Sequence, residues 1–415
     1  MEWLYRLILK LYRLAISVSS FFNPKARLWI QGRKNWRRKL RSGIEKKPGN
    51  YVWIHASSVG EFEQGRPILE LIRKQYPEFR ILLTFFSPSG FEQFKNYEQA
   101  DMVFYLPLDS PRNANAFIKI VQPKLAVFVK YEFWYFYFKT LRLADIPFVL
   151  ISAKLSSKHV FFQWYGRWYK RVLKFPTMYF VQDMESEMLL KNEGVVQVDI
   201  AGDTRIDRVT QIVEAESELS RIEEFKNGKP LLILGSSWRT EEQYLAKYLH
   251  QLENQWKVII APHEVNEKVI KRIMDSLPVP SKRYSRWDSE KNLATDRVLV
   301  IDSIGLLSRV YRYADLAIIG GGFIDGIHNI LEPSVFGVPS FFGPNYKKFN
   351  EANELIKLGG AFSFGSYEEF TTLLSEYTTD IKRREEASRV CSSYIQKNKG
   401  ASIKIMNRLD EWLAN

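Results

Sequence analysis

Short apolar runs alternate with helix-length amphipathic stretches along most of the chain, and this alternation limits the fold more than any other feature. From Tyr51 onward the candidate strands are Tyr51–His55, Arg80–Phe85, Lys124–Val129, Phe148–Ile151, Met178–Val181 and Val198–Ala201. A polar, charged stretch, Glu214–Lys229, interrupts the series. A second series follows, with Pro230–Leu234, Lys257–Ala261, Arg297–Ile301, Leu316–Ile319 and Pro339–Phe342. Runs this short and this apolar suit strands buried on both faces, and strands separated by helices pair in parallel. Each series therefore predicts an α/β, doubly wound parallel sheet, whose ligands sit beyond the carboxyl ends of the strands. At 415 residues there is room for two such domains. The expected organisation is a basic segment over 1–48, a first Rossmann-like domain over 49–213, a linker at 214–229, a second Rossmann-like domain over 230–380, and helices at 381–415 that pack back across the domains.

The second series holds a glycine-rich turn. Leu316–Ile319 runs into Gly320, Gly321 and Gly322, then Gly326, with a helix expected from about His328. Consecutive glycines at a strand's carboxyl end permit a sharp turn and a close approach of a ligand to the main chain. The unpaired N–H groups of the following helix suit a phosphate. Asn329 and Glu332 stand three apart on one helix face, so a carboxylate aimed at a sugar would lie beside amides aimed at a phosphate. That is what a nucleotide-sugar site requires, although an ordinary strand–helix turn has the same glycines.

Charge is concentrated at one end. Residues 1–50 carry 13 lysines and arginines against Glu2 and Glu45, a net +11 of the chain's +13. This disfavours a nucleic-acid groove spread over the protein, and no nucleic-acid partner is expected; it favours a local anionic partner. In residues 1–22, Arg6, Lys10 and Arg13 recur on one helical face among Leu, Ile, Trp, Tyr and Phe. The longest uncharged run there, Leu14–Pro24, is too short for a bilayer, which needs about 20 apolar residues. An interfacial helix against anionic lipid, continued by the basic stretch Arg33–Arg41, is the expectation; the alternatives are helices packed on the protein or simply solvated. No clean cleavage site follows, against a signal peptide. The single cysteine, Cys391, permits no intrachain disulfide and reads as a small buried apolar residue.

Candidate chemistry lies at strand ends. Glu61 follows Tyr51–His55 and the loop Ala56-Ser-Ser-Val-Gly60, near a helix N-terminus; it could serve as general base, or merely favour the helix dipole. Glu132 follows another apolar strand inside an aromatic patch, and could meet developing positive charge or pair with Lys130. Arg205 could balance a leaving phosphate, or form a salt bridge with Asp203 or Asp207. In the second half Gly235-Ser-Ser-Trp-Arg239, Ala261-Pro-His263 and Asp302-Ser-Ile-Gly-Leu306 are strand-to-helix turns expected to converge with the glycine turn. Five scattered histidines give no metal-ligand spacing, and Asp-x-Asp, Walker and Gly-x-Ser-x-Gly motifs are absent, so neither metal nor cofactor is expected.

With these residues in hand, the chain resembles the 3-deoxy-D-manno-octulosonic acid (Kdo) transferases of lipopolysaccharide synthesis. The resemblance rests on His55-Ala-Ser-Ser-Val-Gly-Glu61, Tyr105-Leu-Pro-Leu-Asp109, Tyr131-Glu-Phe-Trp134, Ala153-Lys-Leu-Ser156, Gly202-Asp-Thr-Arg205 and His328-Asn-Ile-Leu-Glu-Pro333, then Phe342-Gly-Pro344. It implies the GT-B fold, two Rossmann-like domains facing across a cleft, with CMP-Kdo as donor and a lipid A precursor as acceptor at the cytoplasmic face of the inner membrane. It makes Glu61 the proton acceptor and gives Glu132 and Arg205 transition-state stabilisation. CMP falls to Pro262 and His263, to Ile304, Gly305 and Leu306, and to Asn329, Ile330, Leu331 and Glu332. Arg205 stands where the family usually has lysine, Asp203 where it has asparagine and His263 where it has arginine, which unsettles those contacts more than the base. Competing readings are a GT-B transferase using a UDP-sugar on a lipid-linked acceptor, and a non-catalytic scaffold at the membrane surface.

Overall fold

The computed structural model describes residues 2–130, 132–214, 218–287 and 296–414; Tyr131 of the resemblance motif and 215–217 of the polar stretch lie outside these. The chain divides into two compact units, Met1–Arg208 with Lys399–Asn415, and Val209–Asn398.

Among the described residues of the first unit, seven strands form one sheet. They are β1 (Tyr51–Ala56), β2 (Arg80–Phe85), β3 (Met102–Tyr105), β4 (Leu125–Val129), β5 (Phe148–Ala153), β6 (Met178–Val181) and β7 (Val198–Ile200), in the order β3-β2-β1-β4-β5-β6-β7. All neighbours pair in parallel. Helices cover both faces, which is why β1 is buried at every position. Val52 and Ile54 pack on one side with Ile68, Leu69 and Ile72 of the helix that follows β1. Trp53 points the other way, into Phe117 and Phe128.

The basic N-terminal segment is not a separate module. Its helices α1 (Glu2–Ser19), α2 (Pro24–Gly32) and α3 (Trp36–Lys46) belong to the first unit, and Trp29, Trp36 and Leu40 are buried there. Tyr5 anchors α1 by donating to Asp109 Oδ2 at 2.8 Å. The Arg33–Arg41 stretch is not a purely solvated face either. Arg33 turns inward and donates to the carbonyls of Leu106, Trp29 and Phe86 at 2.8, 3.1 and 2.7 Å. The spacing of cations in sequence does not reveal which of them finds carbonyls and rings. On its other side α1 exposes Trp3 (66%), Leu7, Ile8, Leu11, Leu14 and Val18, and Phe22 beyond it is 88% exposed. Among the described residues, no helix is long and apolar enough to cross a membrane.

The second unit repeats the plan with β8 (Leu231–Ser237), β9 (Lys257–Pro262), β10 (Ser281–Arg283), β11 (Val298–Val300), β12 (Leu316–Ile319), β13 (Ser340–Phe342) and β14 (Ala361–Ser363). Their order is β10-β11-β9-β8-β12-β13-β14, again all parallel.

The boundary between units falls at Arg208/Val209, inside the helix Thr204–Glu214, and not in the polar stretch 214–229. Composition marks where the chain is polar, whereas the division follows what each helical turn packs against. At the other end, the helix Ile381–Asn398 stays in the second unit, and only Ala401–Leu413 joins the first. There it buries Ile405, Met406, Leu409 and Leu413 against the sheet. Asp207 accepts from Gly400 N–H and Ser402 N–H, both at 2.6 Å, and so caps that last helix.

Candidate functional site

In the first sheet the strand order reverses between β1 and β4; in the second it reverses between β8 and β12, and again where β11 lies between β9 and β10. The β1/β4 and β8/β12 points concern the ligand. Successive crossovers leave opposite ways there, which opens a crevice at the carboxyl ends of the two strands.

In the first unit that crevice receives both acidic candidates. β1 runs through Ser57 into α4 (Val59–Gln75), with Ser58 as its N-cap and Glu61 in the first turn. Glu61 Oε2 accepts from the Ser58 N–H at 2.9 Å, half of a capping box. Glu132 leaves the end of β4, where Lys130 takes a left-handed backbone (φ +64°) that swings the chain off the sheet. Its carboxyl meets that of Glu61. Burial, the Glu61 charge and the bond between the two acids push Glu132 up to about 8, against a smaller lowering by Ser57. Two carboxyls this close share a proton, and Glu132 is the one that keeps it. Behind them lie His55, Phe86 and Trp134, with Trp134 5.8 Å from His55 and 4.7 Å from Phe86 between ring centroids. His55 is fully buried with Nδ1 on Thr84 Oγ1 at 2.9 Å; burial holds it neutral, down at about 3. Arg205 packs beside α4, since Gln64 Nε2 donates to Asp203 Oδ1 at 3.2 Å. Arg205 grips Asp203 through Nε and Nη2 at 2.9 and 2.6 Å. The ion pair is with Asp203, while Asp207 is occupied by the C-terminal helix. Despite burial, Arg205 keeps Asp203 below the ordinary carboxylate range.

In the second unit the glycine turn meets the end of β8, and the glycines make room there for the protein's own main chain. A Cβ on Gly320 would overlap the Ser236 carbonyl, on Gly321 the Gly326 carbonyl, and on Gly322 the Gly343 backbone. The room they leave is filled by the protein's own main chain. Glu241, fully buried, clamps the turn by accepting from Gly321 N–H at 3.0 Å; burial raises its carboxyl pKa, opposed by that bond. The following helix is a single turn, Leu331–Ser334, not one starting at His328. Asn329 precedes it, accepting from Leu331 N–H at 3.1 Å and donating to Glu332 Oε1 at 3.2 Å. Three rings gather alongside. Trp238 Nε1–H donates to His328 Nε2 at 3.1 Å, and His263 stacks over both, 4.8 Å from Trp238 and 4.4 Å from His328. Burial, then His263, lowers His328 to about 4, so it is neutral with its proton on Nδ1. Among the described residues, no three His, Cys, Asp or Glu side chains are grouped so as to hold a metal ion.

Residues 34–208 match the family model of the 3-deoxy-D-manno-octulosonic-acid transferases (kdotransferases). By this match the stretch is similar to a Kdo transferase domain. The chain is 26% identical over 358 residues to the 3-deoxy-D-manno-octulosonic acid transferase of Aquifex aeolicus (strain VF5), covering 83% of this chain and 92% of that protein. It is 26% identical over 384 residues to the enzyme of the same name from Haemophilus influenzae, covering 88% of each. Among solved structures, UDP-GlcNAc 2-epimerase from Neisseria meningitidis aligns with a TM-score of 0.62 at 15% identity, over 87% of this chain and all of that one. Acinetobacter baumannii MurG aligns with 0.55 at 13% identity, over 88% and 100%. These two share the fold alone, the GT-B type with two Rossmann-like units.

Within residues 34–208, then, Glu61 and Glu132 come together, and Arg205, on the separate helix Thr204–Glu214, follows Asp203, which Gln64 of α4 contacts. In the second unit Pro262 ends β9 and His263 joins the rings beside Asn329 to Glu332. Ile304, Gly305 and Leu306 follow β11, the strand beyond β9, with Ile304 88% exposed and open space around Gly305. Sequence reasoning gave no role to Trp238, Glu241 or Tyr311. Tyr311 is buried with its hydroxyl against Gly235, where any side chain would overlap it. The one available signal was the Trp-Arg-Thr-Glu-Glu run directly after β8, a polar helix start beginning with a large aromatic.

Proposed function

We propose that this protein is a Kdo glycosyltransferase that moves 3-deoxy-D-manno-octulosonate from CMP-Kdo to a lipid A precursor (lipid IVA) in lipopolysaccharide synthesis, with inversion and without a metal. The observation that carries the reading is the Glu61–Glu132 pair at the reversal point of a sheet in a stretch similar to a Kdo transferase domain. An acceptor hydroxyl attacks the anomeric carbon of Kdo on the face opposite CMP; the new C–O bond forms as the bond to phosphate oxygen breaks. CMP departs with the electron pair, and Glu61 takes the hydroxyl proton. Protonated Glu132 donates toward Glu61 and steadies the charge that moves through the site, with Arg205 as the nearby cation. The second unit holds CMP through Pro262 and His263, Ile304 to Leu306, and Asn329 to Glu332.

The acceptor's acyl chains call for a membrane surface, and α1 offers one. Its exposed Trp3, Leu7, Leu11 and Leu14 stand beside Arg6, Lys10 and Arg13, as in a helix lying in the interface with cations toward lipid phosphates. The working place is the cytoplasmic face of the inner membrane. The test is mass spectrometry of lipid A precursor after incubation with CMP-Kdo, with a panel of CMP- and UDP-sugars in parallel. Kdo addition with CMP release is the expected result; UDP release from a UDP-sugar with none from CMP-Kdo refutes the donor. Glu61→Gln abolishes transfer and leaves CMP binding intact, whereas in a non-catalytic scaffold it changes neither.

A further inference from the structure

Glu132 stands on a short suspended segment. β4 ends at Val129 and a helix begins at Tyr135, while residues 132–134 belong to no strand or helix. No backbone ladder fixes a carboxyl carried on such a segment, so its place is set by whatever holds the helix start and the segment itself. The helix Tyr135–Leu143 does not hold its own start. Its N-cap is Trp134, whose side chain makes no capping bond. An indole N–H only donates, whereas the orphan N–H groups of a first turn need an acceptor.

That acceptor comes from a distant part of the chain. Asp109, fully buried on the segment after β3, takes the Phe136 N–H on Oδ2 at 3.0 Å and the Tyr137 N–H on Oδ1 at 3.1 Å. One carboxylate thus caps the second and third residues of the helix. Tyr5 of α1 donates to the same Oδ2 at 2.8 Å. The Tyr5 ring also stacks on Tyr169, 5.8 Å between centroids and 29° between planes. The Tyr169 hydroxyl in turn donates to the carbonyl of Phe133, the residue directly after Glu132, at 2.5 Å. Burial first, then Asp109 and Glu132, hold the Tyr169 phenol above its ordinary range against an opposing bond from Tyr5, so it stays a donor. Tyr5 therefore touches both supports of the suspended segment, the cap beyond it and the clamp on its carbonyl. Anchorage of α1 alone is already supplied by Glu2, which accepts from the Tyr135 hydroxyl at 2.7 Å and from Lys139 Nζ at 2.9 Å. We propose that Tyr5 and Asp109 are positioning residues that set where the Glu132 carboxyl stands against Glu61, acting through the first turn of the helix Tyr135–Leu143 and the Phe133 carbonyl. This inference rests on the role given to Glu132 in the functional reading above.

Tyr5→Phe keeps the ring stack and removes only the hydroxyl, and Asp109→Asn keeps the volume and removes the charge. Both are measured in the full-length protein with CMP-Kdo and lipid A precursor. A misplacement of about 1 Å at a reacting group costs up to about a hundredfold, so kcat should fall about tenfold or more in each, with the KM for CMP-Kdo kept. Glu132→Ala leaves no group to place, so adding Tyr5→Phe to it should lower the residual kcat by less than about twofold. An equal loss in both backgrounds, or an unchanged kcat in Tyr5→Phe alone, overturns the proposal. A second readout needs no transfer. Burial and the Glu61 charge on Glu132 make the wild type lose stability between pH 5 and 9, and this loss should shrink in Tyr5→Phe as the carboxyls part. An undiminished loss, followed by urea unfolding, also overturns the proposal. If the wild type transfers no Kdo yet the loss shrinks in Tyr5→Phe, the functional reading fails and the placement of Glu132 by Tyr5 stands.

Discussion

Glu132→Gln is the sharpest probe of the acid pair. The Glu132 carboxyl rises from an ordinary 4.5 to about 8 because burial and the Glu61 charge both oppose its ionisation. A folded-state pKa above the unfolded one adds stability in full below 4.5, and that contribution is lost as pH climbs toward 8. At 1.36 kcal/mol for each pH unit, an isolated and sealed carboxyl would lose about 5 kcal/mol across that window. Glu132 is partly open to solvent and shares its proton with Glu61, so the surviving effect is about 1–2 kcal/mol. The carboxamide of the variant donates toward Glu61 at every pH, as protonated Glu132 does, and has no proton to lose. Urea unfolding at steps from pH 5 to 9 should therefore show the wild type falling by about 1–2 kcal/mol relative to Glu132→Gln. The transfer rate should show the same asymmetry: a decline above about pH 8 in the wild type that is absent in the variant. Parallel stability curves would mean that the two carboxyls do not share a proton, and the role given to Glu132 would go with them.

Three further outcomes follow from particular contacts. Gly322→Ala places a methyl group on the Gly343 main chain and should cost about 1–3 kcal/mol in the second unit, read as a lower urea midpoint with or without CMP present. Trp238→Phe removes the indole N–H that fixes His328; nitrogen-15 spectra of His328 should change from one tautomer to a mixture, while far-ultraviolet circular dichroism stays the same. Asp207→Ala strips the cap from the last helix and should destabilise the first unit by about 1–2 kcal/mol, with hydrogen exchange over 401–413 rising first.

Which parts were legible follows from what buries what. Arg80–Phe85, Met178–Val181 and Leu316–Ile319 are strands with the bounds read from sequence, because apolar runs flanked by polar turns have few other options. Three strands were missed: β3, β10 and β14. β3 is only partly buried along most of its length, and β10, Ser-Lys-Arg, has no apolar residue at all. All three lie at or next to a sheet edge, where pairing holds a strand whose side chains give little sign of it. The glycine turn stayed open between two readings for a related reason. Glycine signals that something passes close by, and sequence does not say whether that is a ligand or, as with Gly320 and Ser236, the chain itself.

The acid pair shows the same limit more deeply. Glu61 and Glu132 each stood out as a carboxylate after a strand, but nothing in either stretch indicated that they meet. Between them the chain builds β2 and β3 on one side of β1 and returns to lay β4 on the other. A parallel sheet with right-handed crossovers forces that return to start a second layer of helices on the opposite face, so the loops after β1 and β4 diverge. The gap left where they part is not bridged by either crossover, and a residue at the start of either loop borders it. The second sheet opens the same gap between β8 and β12, bordered by Ser236 and the glycine turn, with Glu241 drawn in to hold it. Strand order, which no single stretch of sequence encodes, therefore turned separate strand-end residues into paired ones, and it accounts for why Trp238, Glu241 and His328 became visible as a group only once the sheet was assembled.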